Sequence, residues 1–123
     1  MKAKLFGMLL LVVLGAITAA GCHDHLFDGT RLAEADRFHL IFKHFCGVQK
    51  HTMMLNAGDV IDVNIKKIAG RLDITILDSR QKVLYQGRNA DWSHFKVVVM
   101  ESEVYSFVVV GKEAKGSVLF TVD

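Results

Sequence analysis

Apolar and polar residues alternate with a period of two through most of the chain after residue 37, and this constrains the fold more than any other feature. Ile61, Val63 and Ile65 alternate with Asp62, Asn64 and Lys66; Leu72, Ile74 and Ile76 alternate with Asp73 and Thr75. Successive side chains of a strand point to opposite faces, so this pattern buries one face of a sheet and wets the other. Turn chemistry punctuates it at Asn56-Ala57-Gly58-Asp59, Ala69-Gly70, Asp78-Ser79-Arg80-Gln81 and the polar loop 86–93. Strands are expected at His51–Leu55, Val60–Ile68, from Leu72, and at Val83–Tyr85, with further ones opening at Phe95, Tyr105 and Val118. Phe38–Phe45 reads either as a strand or, through Leu32, Ala35, Phe38, Phe42 and Phe45, as a helix. Seven or eight short strands predict an all-β domain over residues 37–123. Its expected form is a small two-sheet antiparallel β-sandwich, jelly-roll-like, after an N-terminal signal helix.

The first 22 residues read as an address. Lys2 and Lys4 precede the uncharged run Leu5–Ala20, which is short for a span that needs about 20 apolar residues. A basic start, a short apolar middle and small residues at the end make a secretory signal peptide over residues 1–21. Ala19-Ala20-Gly21-Cys22 resembles the lipobox of bacterial lipoproteins, with Ala19 where that family prefers Leu. The resemblance implies diacylglycerol and palmitate-type acyl chains on the Cys22 sulfur, and cleavage that leaves Cys22 as the first residue. The expected location is the extracytoplasmic face of a cell membrane, with the membrane itself as a partner through the lipid. His23 follows Cys22, so no Asp marks the chain for the inner membrane of a two-membrane cell. Plain secretion and an uncleaved anchor are the competing readings of the same segment.

Losing residues 1–21 removes two lysines, so the 15 Lys and Arg fall to equal the 13 Asp and Glu and the formal charge of +2 becomes zero. A neutral domain lacks the basic face that nucleic acid requires. Residues 22–36, polar and carrying Asp24, Asp28, Glu34 and Asp36, read as a lipidated tether. Acylation of Cys22 would leave Cys46 alone, as a small buried hydrophobe, a reactive thiol or a metal ligand.

Two features point to binding. The last strands are apolar on both faces: Val98, Val104, Val108, Val110 and Leu119 oppose Val97, Val99, Phe107 and Phe120. A sheet with one wet side does not look like this. Either another segment such as Phe38–Phe45 covers the face, or Val98, Val108, Val110 and Leu119 form a protein interface. Trp92 sits in a polar loop with Arg88, Asn89, Asp91 and His94. It either plugs one end of the sandwich or stacks on a sugar ring with these neighbours as polar partners.

Six histidines invite a metal reading, but on a strand only His44 and Cys46 share a face, and two ligands do not make a zinc site. The acids at Asp59, Asp62, Asp73, Asp78 and Asp91 lack calcium-loop spacing. No nucleophile elbow, triad pattern or phosphate loop stands out. The expectation is therefore no enzyme, no metal and no cofactor beyond the lipid on Cys22.

The run "GDVIDVNIKKIAGRLDITILDSRQKVLYQG", followed by "FKVVVMESEVYSFVVVGKEAKGSVLFTV", resembles small bacterial lipoprotein β-sandwich domains and, through them, GOLD-like domains of cargo proteins. The shared pattern is Gly58-Asp59, Gly70 before "LDITI", Tyr85, Phe95, Tyr105 and Gly116. Glu101-Ser102-Glu103 stands where a glycine would be expected, and the paired cysteines of the eukaryotic members are not reproduced. The resemblance implies a non-catalytic binding or assembly module on a β-sandwich and supplies no catalytic residues; the partner expected at the valine face is an envelope protein, and at Trp92 a glycan.

Overall fold

The computed structural model describes residues 25–123. The signal helix and Cys22 lie outside them. Every regular element is a strand: β1 (Leu26–Ala33), β2 (Arg37–Leu55), β3 (Val60–Leu77), β4 (Val83–Gly87), β5 (Ser93–Val98) and β6 (Glu103–Val122). The sheet is antiparallel throughout, in the order β1-β2-β6-β3-β4, with β5 also on β3.

The strand count is lower than expected because β2, β3 and β6 are 19, 18 and 20 residues long. The glycines that read as strand breaks are instead bends within continuous strands. Register slips fall between Phe42 and Gly47 on β2 and between Lys67 and Arg71 on β3, where those strands meet β6 around Lys112–Gly116. The three bends form one crease that folds a single sheet into two layers. The first layer runs β1, the start of β2, the end of β6, the start of β3, and β5. The second runs the end of β2, the start of β6, the end of β3, and β4. The result is an antiparallel β-sandwich whose two layers are one continuous sheet folded on itself.

Period-two patterning fills the space between the layers. Phe38, Leu40, Ile61, Val63, Ile65, Val118 and Phe120 from the first layer meet Leu72, Ile74, Ile76, Phe107 and Val109 from the second, all fully buried. Aromatic pairs bridge the gap: Phe107 to Phe120 at 5.0 Å and Tyr85 to Phe95 at 4.7 Å between ring centroids. Tyr105 is buried and donates its hydroxyl to the Glu101 carbonyl at 2.6 Å; burial and the nearby Glu103 charge raise its pKa.

Two expectations change here. Phe38–Phe45 is strand, part of β2, and so lies beside β6 in the sheet rather than over its valines. Leu26–Ala33 is not tether: it is edge strand β1, paired with β2 from Leu26–Cys46 to Ala33–Phe38. Its polar composition misled because an edge strand on a mostly wet surface needs few buried side chains. Its Arg31 closes the open side of the sandwich, stacking over the Phe38 ring at 5.0 Å and donating to Gln49 Oε1 and the Lys50 carbonyl in the second layer.

The Asp78–Gln81 turn forms as its residues suggest. Asp78 Oδ1 accepts from the backbone N–H groups of Arg80 and Lys82 at 2.9 and 2.8 Å. Ser79 donates its N–H and hydroxyl to Glu103, which holds that carboxyl below its ordinary pKa.

His39, on the outer face between Leu32 and Leu119 by register, has its pKa lowered, first by burial and then by Arg37. The unfolded chain therefore binds a proton more readily than the folded one. Stability is expected to fall as pH drops from 6.5 towards the depressed folded value, and to lose nothing more from this group below it. Urea midpoints measured across this interval should show a slope that shrinks in His39→Gln; an unchanged slope assigns it elsewhere.

Candidate functional site

On the outer face of the first layer, next to the crease, four strands and one loop enclose a groove of about 390 Å³. Strand β1 contributes Gly29 and Thr30; β2 contributes Ile41–Lys43; β3 contributes Lys66 and Ile68; β6 contributes Lys115–Ser117. The β4–β5 loop lays Trp92 over it. The register explains why these residues converge: Gly116 lies opposite both Phe42 on β2 and Lys67 on β3, so β6 brings the other two strands to one place. Trp92 is 65% exposed and Ile68 64%, and Ile41 stands half out of the sheet. The groove is thus apolar in its body. Its charged groups are Lys43, Lys66 and Lys115, and no acidic side chain lines it among the described residues. None of these three lysines enters an ion pair within the described residues.

Trp92 does not plug the sandwich; it is a surface ring held by its loop, its backbone N–H bonded to Asp91 Oδ1 at 2.8 Å. The polar neighbours named with it do not converge on the groove. His94 Nε2 pairs with the Asp62 carboxylate at 2.9 Å. Asn89 accepts from Lys67 Nζ at 2.9 Å and gives its backbone N–H to Asp73 at 2.7 Å. Arg88 is exposed and outside the lining. The lysines were missed because they are far apart in sequence, and each reads singly as the polar side of a strand.

The valines also divide. Val108 and Val110 lie on the outer face of the second layer, whereas Leu119 and Val98 lie on that of the first, as their pairings with Thr75, Asp73, Asn64 and Val60 show. The four do not make one patch. The second layer's outer face does carry a stripe of its own, with Val48, Met54 and Val104 exposed beside Val108 and Val110.

A second cluster sits at the crease. Glu113, at φ 49°, turns its carboxylate to His44 Nε2 at 2.6 Å and donates its N–H to Cys46 Sγ at 3.3 Å. With His44 and Cys46 it forms a group of metal-binding residue types, the third member coming from β6 with no sequence spacing to reveal it. Cys46, expected to stand alone, is disulfide-bonded. Its sulfur therefore offers no thiolate, and His44 and Glu113 alone are two ligands.

No family model matches the chain, and no curated protein matches it. Among solved structures it is similar to PliG of Aeromonas hydrophila, a periplasmic inhibitor of g-type lysozyme, at 14% identity over 79% of this chain and 88% of that one, with a TM-score of 0.50. The pre-peptidase C-terminal domain of Bacillus anthracis collagenase matches at 14% identity over 81% and 93%, with a TM-score of 0.46. The first likeness shows the fold, a small β-sandwich, and carries no ligand or residue role with it.

Proposed function

We propose that the chain is an exported, non-enzymatic binding module of the cell envelope whose ligand lies in the Trp92 groove. The groove carries this reading. An exposed indole beside Ile41 and Ile68 on a sheet face is a surface that gains from being covered, and an aromatic ring is suited to the apolar face of a sugar. The export segment Leu5–Ala20 and the lipobox-like Ala19-Ala20-Gly21-Cys22 support the location. The fold shared with a periplasmic inhibitor is compatible with it.

Binding of envelope polysaccharide fractions should weaken about tenfold or more in Trp92→Ala, as for a central aromatic anchor; unchanged binding would remove the groove from the account. The anchor has its own test. A thioether sulfur has no valence left for a disulfide, so intact mass under non-reducing conditions is decisive. Acyl mass on Cys22, lost together with detergent partitioning in Cys22→Ser, would establish a lipid anchor; a mass two hydrogens below that of the reduced chain, with no acyl group, is the result the bonded Cys46 favours. A Cys22–Cys46 bridge would leave an exported domain without lipid.

The stripe at Val48, Met54 and Val104 favours a second reading, contact with an envelope protein across the second layer. Val104→Lys should then release a co-purifying protein that Trp92→Ala retains.

A further inference from the structure

We propose that the ligand of the groove is an anionic saccharide, its ring on Trp92 and its carboxylate or phosphate among Lys43, Lys66 and Lys115. This rests on the Trp92 groove as the binding surface and adds the ligand's charge. The hydrogen-bonding inventory leads there. A lysine ammonium donates and cannot accept, so the groove's charged groups are donors only; its neutral polar side-chain groups are the hydroxyls of Thr30 and Ser117 and the indole N–H of Trp92, itself a donor. A neutral sugar carries hydroxyl donors beside its acceptors, and among the described lining side chains only the Thr30 and Ser117 hydroxyls could receive them, with no carboxylate or amide. An acidic sugar presents acceptors and negative charge. Three lysines line one groove with no ion-pair partner among the described residues, so an anion bound there meets positive charge that nothing in the described chain neutralises. Lys67 is not part of this set, being bonded to Asn89. A ligand that covers Ile41 and Ile68 displaces water from that side of the groove, which strengthens its pairing with the lysines relative to open surface.

The test is calorimetry on the full mature protein with three probes: a galacturonate hexamer, the same hexamer with its carboxylates reduced to alcohols, and a sugar-phosphate oligomer of similar length. The acidic probes are expected to bind about tenfold or more tightly than the reduced one, with the advantage shrinking as salt rises. The tighter of the two acidic probes identifies the anion. The triple variant Lys43→Gln, Lys66→Gln, Lys115→Gln should erase the advantage, bringing the ratio of acidic to reduced affinity to about one, whereas Trp92→Ala should weaken all three probes. Equal, salt-independent binding of acidic and reduced hexamers would overturn the charge assignment and leave the groove reading standing. No binding of any probe, or binding indifferent to Trp92→Ala, would overturn both.

Discussion

Phe120→Ala is expected to lower the unfolding free energy by about 3–5 kcal/mol, the range for removing a large aromatic ring from a packed core. Phe120 is fully buried, stacks on Phe38 at 6.0 Å with the rings 10° from parallel, and meets Phe107 of the opposite layer at 5.0 Å. It therefore touches both its neighbour in the sheet and the facing sheet, and no nearby side chain can fill the gap without leaving its own place. A small domain has about 5–15 kcal/mol in all, so the loss is a large share of it. Urea denaturation with an unchanged slope reads the effect directly. Trp92→Ala, on the surface, should stay within about 0.5 kcal/mol. A cost below about 1 kcal/mol for Phe120→Ala would mean that the layers are not packed through this ring.

Gly70→Ala is expected to cost about 2–4 kcal/mol, from left-handed backbone strain and a main-chain overlap together. Gly70 has φ 77°, and a Cβ there would fall on the Glu113 carbonyl across the crease. Main chain cannot swing aside as a side chain can, so the bend itself must open. Gly58→Ala provides the comparison. Gly58 also has positive φ, at 95°, but nothing lies within 4 Å of the position its Cβ would take. It should cost about 1 kcal/mol, the strain alone. Equal costs at the two positions, measured as thermal midpoints, would show that the crease tolerates extra width.

Much of the fold was legible in the residues. The alternation at Val60–Ile65 and Leu72–Ile76 named the buried faces correctly, and Asp78 and Gly58 marked real turns. Gly70 was misread because a glycine that lets one strand bend and a glycine that ends a strand look the same locally; the difference lies in the pairing across to β6. β1 was misread because main-chain bonding holds an edge strand and leaves little apolar pattern behind. Trp92 could be singled out from its solitary aromatic character. Its companions could not, since Lys43, Lys66 and Lys115 become neighbours only through the register of three strands.

Because β2, β3 and β6 each run through both layers, neither half of the molecule owns a complete set of strands. Loosening one half pulls on the same three ribbons that build the other. The domain should melt as one cooperative unit. Slow amide exchange should be shared by His51–Leu55 and Phe38–Phe42 alike, with the fastest exchange in β5 and the loop before it, which could then adjust around an arriving ligand without disturbing the rest.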